Sequence, residues 1–334
     1  MSAPEAARSE PLPLAPGVAS GRAGALAALI GGALAMGVSP LFVRLASDAG
    51  VGPFASAFWR VALALPVLYG WALLEERSAG AGARPTFTKA AVVSGLLFAG
   101  DLLFWHLAIL KTTIANATFF ATTAPIWVVL FSWLALKQKI RREIVVGIAI
   151  CTLGGVALIG NSLQVDPAKL RGDLMGLATA VFFGLYFIAV QAARKHAGAA
   201  RVTFALSCVT SVILLAAALL SGDALWPATM GGLAALFAMS WLSHAGGQGL
   251  LSVALGRLPA VFSSLVIFLE AIAAAIVAWI ALGEALTLVQ SLGGALILIG
   301  IWVARPRTDK DPTQKGRTQE ARTQEGEKQG DPDA

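Results

Sequence analysis

Trp133-Leu134-Ala135-Leu136-Lys137-Gln138 returns as Trp279-Ile280-Ala281-Leu282-Gly283-Glu284, a shift of 279 − 133 = 146 positions. On either side, Gly147 and Gly154 return as Gly293 and Gly300, Gly100 and Ala108 as Gly246 and Ala254, and Lys111 as Arg257. The echo joins residues 90–160 to 236–306, and with one residue of slippage it extends upstream, pairing Gly37 with Gly184 and Val43 with Val190. The period is far too long for a solenoid. Each copy is about half of a membrane domain, and a duplicated membrane half points to a transporter with its site between the copies.

Composition places the chain in a membrane. It is 57% hydrophobic and 13% charged, with a mean hydropathy of +0.75, whereas a soluble domain carries about 25% charged residues. Ten segments approach the ~20 apolar residues that a spanning helix needs: roughly 24–45, 53–74, 89–110, 113–136, 143–161, 173–193, 202–221, 229–254, 259–282 and 285–304. The expected fold class is an all-α integral membrane protein of ten transmembrane helices, arranged as two inverted five-helix repeats. Residues 1–23 read as a polar cytoplasmic N-terminal tail without a cleaved signal, 24–161 as the first repeat, 162–304 as the second, and 305–334 as a disordered cytoplasmic C-terminal tail. Cys151 and Cys208 fall inside apolar segments and read as small core residues.

Loop charges orient the chain. With the N-terminus inside and the tail left out, 13 Lys/Arg are cytoplasmic, and four (Arg44, Lys111, Lys169, Arg171) lie outside. Both termini are therefore expected in the cytoplasm of an inner (plasma) membrane. The pI near 9.6 follows from this bias, so no nucleic-acid partner is expected. Five spans per copy is an odd number, so the second copy enters the bilayer upside down relative to the first.

The ten spans resemble the EamA family of the drug/metabolite transporter superfamily. The resemblance rests on Phe268-Leu269-Glu270, Trp279 to Glu284 and Gly293-Gly294 in the second copy, on Ala124-Pro125-Ile126 and Trp133 to Leu136 in the first, and on Pro53-Phe54 with Phe58-Trp59-Arg60 in span two. Two positions depart from the family pattern: Ala271 stands where Pro is usual, and Lys137-Gln138 where Gly-Glu is usual. The resemblance implies a transporter of small metabolites, often exporting them, with spans three, four, eight and nine central.

Ionisable groups within spans are costly and tend to face a cavity or a partner. Asp101, His244 and Glu270 lie near the middle of spans three, eight and nine, and Asp101 and Glu270 are candidates for proton coupling. Arg60 could attract a substrate carboxylate, pair with Asp101, or be structural. Trp241, His244 and Gln248 share one face of a regular helix at i, i+3, i+7, as do Asn116, Phe119 and Thr123; Trp105 shares the face of Asp101. Tyr186 sits mid-span. These residues are the candidates for a substrate and proton pathway, although interhelical bonding explains many of them equally well. Pro40, Pro125, Gly246, Gly247 and Gly249 are hinge candidates. Gly147/Gly154 and Gly293/Gly300 give spans five and ten small-residue seams suited to support or to a homodimer contact.

The expected function is secondary active transport of a small metabolite, such as an amino acid or related compound. It would be export, by alternating access, driven by protons or exchange, since no P-loop is present. The expected partners are this small-molecule substrate and the lipid bilayer, and neither a metal nor another cofactor is expected. A channel or facilitator is the alternative. A hydrolase built on Ser39 and His244 lacks the motif such chemistry needs, so no enzyme activity is expected.

Overall fold

A computed structural model describes residues 17–79, 87–159, 167–282 and 287–306. Residues 1–16, the repeat boundary at 161/162, the expected turn at Gly283-Glu284 and the tail beyond Pro306 lie outside the described residues. Every regular element described is helical, as hydrocarbon demands when each backbone group must be satisfied within its own segment.

The first helix, α1 (Gly17–Met36), starts seven residues before the expected span. It is followed by α2 (Ser39–Asp48), α3 (Pro53–Ala62), α4 (Leu65–Ala79), α5 (Lys89–Lys111), α6 (Ile114–Thr122), α7 (Ala124–Leu134) and α8 (Arg142–Ile159). The second copy contains α9 (Leu170–Arg194), α10 (Ala199–Ser221), α11 (Met230–Ala238), a π-helix (Met239–Gln248), α12 (Gly249–Leu255), α13 (Ala260–Val266), α14 (Phe268–Leu282) and α15 (Leu288–Ala304). Among the described residues, seven helical stretches are long and apolar enough to cross a membrane: Gly21–Asp48, Pro53–Ser78, Lys89–Lys111, Asn116–Leu134, Pro167–Arg194, Ala199–Ser221 and Ala260–Val277. Helices also occupy the other three expected positions, in 142–159, 230–255 and 288–304. Leu153, Val212 and Leu220 are 65%, 70% and 89% exposed, which suits lipid as the surrounding solvent.

Several spans are interrupted midway, and the sequence explains two of the breaks directly. Pro40 and Pro125 lie in the first turns of α2 and α7. Neither has an N–H to give to the carbonyl four residues back, at Met36 and Ala121. Span nine also breaks, at Ile267, although Ala271 replaces the usual proline. There Ile267 N–H bonds Ser264 O and Glu270 N–H bonds Ile267 O, so the turn tightens without a proline.

The packing repeats with the sequence. α5 lies along α9, while the π-helix and α12 lie along α1; the 146-residue shift carries the first contact into the second. α8 and α15 pack closely on each other. A Cβ added at Gly154 would sit 2.7 Å from Gly293 O, and one at Gly147 would sit 2.7 Å from Gly300 O. The converse distances are the same. The two glycine seams expected from sequence thus close against each other within the chain.

Candidate functional site

The breaks converge on one cavity. Met36 and Ser39 flank the interruption of span one, Ala121 precedes that of span four, and Gln248 ends the π-helix. Ile267 is the break in span nine, and all five line the same narrow space of about 40 Å³. The volume suffices for a few water molecules. Arg60, Asp101, Trp105 and Glu270 complete the polar wall. Met36 and Ala121, the residues four positions before Pro40 and Pro125, both line this cavity.

The charges are held apart. The Arg60 guanidinium sits 5.1 Å from the centre of the Trp105 ring, and its Nη2 donates to Ser243 Oγ at 3.2 Å. No ion pair within 4.0 Å joins it to Asp101 or Glu270 among the described residues. Arg60 Nε, Glu270 Oε1 and Ser39 Oγ are buried without a hydrogen-bond partner. Arg60 is only 5% exposed, so it does not snorkel toward the bilayer surface. The cavity thus presents one cation and two carboxyl groups, none of them neutralised by direct contact with another.

Behind the cavity lies an aromatic and polar wall. Tyr186 donates to Gln248 Oε1 at 3.0 Å. Phe98 stacks on Tyr186 at 4.8 Å and on His244 at 5.4 Å, and His244 Nε2 contacts Ser207 Oγ at 2.9 Å. The serine beside this histidine is Ser207 rather than Ser39, and Nδ1 of His244 is buried without a partner. His106, also buried, meets the Trp105 ring edge-on at 5.2 Å, with neither ring nitrogen partnered.

Three expected site residues lie elsewhere. Trp241 is 53% exposed, and its Nε1 donates to Leu63 O. It lines a separate apolar groove with Trp71, Gly246 and Gly249. The cause is the π-helix. Its buried positions are 239–240, 243–244 and 247–248, a repeat of four rather than 3.6, because its bonds run i to i+5. Trp241 therefore leaves the face of His244 and Gln248. Asn116 lies at the start of α6, where its Nδ2 and the Thr112 hydroxyl both donate to Asp173 Oδ1, at 3.0 and 2.7 Å. Thr123 turns its hydroxyl back to Phe120 O at 2.6 Å. Of the hinge candidates, Gly246, Gly247 and Gly249 fall in or beside the π-helix. Ser243 and Thr179 also bound the site; serine and threonine are too common in membrane helices to stand out in sequence.

An all-helical bundle with lipid-facing apolar sides and a charged central cavity defines a multi-pass membrane protein. The chain belongs to the EamA-like transporter family, whose model matches residues 23–160 and again 170–305. It therefore carries two EamA repeats. It is 30% identical over 166 residues to an uncharacterized transporter of Helicobacter pylori strain J99, covering 49% of this chain and 53% of that protein. It is 27% identical over 202 residues to an uncharacterized transporter of Archaeoglobus fulgidus, covering 59% and 69%. The chain thus spans about half the length of the Helicobacter relative. One solved crystal structure shares the fold, with a TM-score of 0.70 and 20% identity over 85% of this chain and 97% of the other.

Proposed function

We propose that the protein is a secondary carrier for an amino acid or a related zwitterion, working by alternating access about this cavity. The observation that carries the reading is the unpaired set of Arg60, Asp101 and Glu270 on one cavity wall. A substrate carboxylate would meet Arg60, and its ammonium would meet Glu270 or Asp101. With no substrate bound, one cation faces two carboxyl groups, and a proton on one of them balances the site. Asp101 and Glu270 are thus the coupling candidates, with exchange as the other mode of drive.

Ten crossings in two inverted repeats complete the picture. The swap of packing partners between copies supports the inversion. Loop charges favour an inner (plasma) membrane location with both termini in the cytoplasm, and the family resemblance favours export. A homodimer through spans five and ten would use outward positions such as Leu153 and Leu298, since the glycine seams are occupied within the chain.

A thermal-shift screen of purified protein tests the substrate class. Ligands bearing both an amine and a carboxylate should raise Tm, while amine-only and carboxylate-only analogues of the same size should not. Equal stabilisation by either half-ligand would contradict a zwitterion site. Proton-coupled flux should disappear in Asp101→Asn or Glu270→Gln; flux intact in both would remove the coupling assignment.

A further inference from the structure

Two acidic residues tie spans two and seven together from opposite ends. Asp223, just past α10, accepts the backbone N–H groups of Phe54 at 2.7 Å and Ala55 at 3.0 Å, in the first turn of α3. Glu75, near the end of α4, accepts those of Ala200 at 3.3 Å and Arg201 at 3.2 Å, in the first turn of α10. Each carboxylate satisfies N–H groups that the start of a helix leaves unpaired, and each lies at the positive end of the helix dipole. The two spans therefore run antiparallel, each capped by the other.

The residues that make room for these caps repeat as well. Gly52 precedes α3 and Gly198 precedes α10, and 198 − 52 = 146, the repeat period. A Cβ at Gly52 would overlap the Asp223 carboxylate, and one at Gly198 the Glu75 carboxylate. A single device is present twice, once on each face of the molecule.

Both faces carry further bonds. At the Asp223 face, Gly52 N–H also bonds Ala224 O at 3.0 Å, Ala228 N–H bonds Ala49 O at 2.8 Å, and Trp59 Nε1 donates to Leu225 O at 2.7 Å. The Glu75 face adds the ion pair of Arg201 with Glu76 at 2.9 Å, Arg194 donating to Ser252 O at 2.8 Å and to Ala197 O, and Ser252 Oγ donating to Ala199 O at 3.3 Å. Both caps are seated while the cavity measures only about 40 Å³.

We propose that Asp223 and Glu75 are the two latches of the transport cycle, Asp223 closing the cavity toward the face of Gly52 and Glu75 toward the face of Gly198. The assignment rests on the alternating-access reading above. A cycle that opens one face at a time releases one carboxylate from its helix and leaves the other seated. The freed acid enters water in the opening vestibule, so its charge is not stranded in lipid.

Side-selective labelling tests this on the full-length chain. Cys151→Ala and Cys208→Ala remove the native thiols, and Ser39→Cys places a reporter in the cavity wall. A membrane-impermeant thiol reagent is applied to intact cells and to inverted vesicles. Asp223→Ala should speed labelling about tenfold from the Gly52 face alone, and Glu75→Ala about tenfold from the Gly198 face alone, as expected for the loss of two charge-assisted bonds. Asp223→Glu and Glu75→Asp should stay near the parent rate. Where an alanine variant does not accumulate, Gly52→Ala or Gly198→Ala, which displaces the carboxylate without removing it, should give the same selectivity. Equal acceleration from both faces, or none from either in monodisperse protein, would overturn the latches. Counterflow run in parallel separates the readings: selective labelling without saturable counterflow keeps the latches and removes the carrier, while counterflow without selectivity removes the latches alone.

Discussion

The Arg60 guanidinium lies over the Trp105 ring, 5.1 Å from its centre, and this contact leaves Arg60 unpaired with the two carboxylates that share its cavity. Ser243 takes only one of its nitrogens. The cation is held in place while its Nε has no hydrogen-bond partner, which leaves a donor for a carboxylate.

Arg60→Gln should therefore weaken binding of any carboxylate-bearing ligand by about ten- to hundredfold, the loss of a charge-assisted bond in a buried site. Trp105→Leu should weaken it less, by about three- to thirtyfold, because it removes only the ring that positions the guanidinium. Calorimetric titration with a ligand from the thermal-shift screen checks both. An equal loss in the two variants would make Trp105 a ligand contact in its own right.

Gly293→Ala should lower stability by about 1–3 kcal/mol, since the new methyl would lie within 2.7 Å of Gly154 O, against helix backbone that cannot step aside. Its neighbour provides the control. A Cβ at Gly294 meets nothing closer than a Leu158 methyl at 4.0 Å, so Gly294→Ala should leave Tm within a degree or two of the parent. Thermal unfolding in one detergent compares the pair, and similar Tm losses would contradict the seam.

Lys137 adopts φ = +50°, in the left-handed region. The sequence repeat carries glycine at the matching position, Gly283, whereas the first copy places a lysine in a conformation ill suited to it. Lys137→Gly should raise stability by up to about 1 kcal/mol, the strain relieved exceeding the entropy added to the unfolded chain. A lower Tm would show that the lysine side chain contributes more than its backbone costs.

Tyr186 and Gln248 join span six to the end of the π-helix through one buried hydrogen bond. Gln248→Leu alone should cost about 1–3 kcal/mol by leaving the phenol unpaired, and adding Tyr186→Phe should recover part of that loss. The double-mutant cycle reads the coupling directly. Additive losses would mean that the bond contributes little.

The repeat, the helical class and the membrane setting were all legible in the sequence, because apolar runs and glycine spacing are long-range patterns that survive drift. Arg60, Asp101, Trp105, Gln248 and Glu270 stand out in sequence because polar groups within a span must be accommodated somewhere, and all five line the cavity. Trp241 was misplaced because a face drawn at 3.6 residues per turn fails on a π-helix, whose wider turn no single residue announces. Asn116 was misplaced because its partner, Asp173, lies 57 residues away. The break at Ile267 was invisible because it forms through i to i+3 bonds rather than proline. The caps at Glu75 and Asp223 were hidden for a similar reason: each acid sits near the end of one span and acts on the start of another.

Solute counterflow in proteoliposomes reaches the central claim most directly. Vesicles loaded with an unlabelled zwitterionic ligand from the screen should accumulate the labelled form transiently, with a rate that saturates with concentration and is lost in Arg60→Gln. A linear, non-saturating leak that Arg60→Gln leaves unchanged would contradict a carrier built around this cavity.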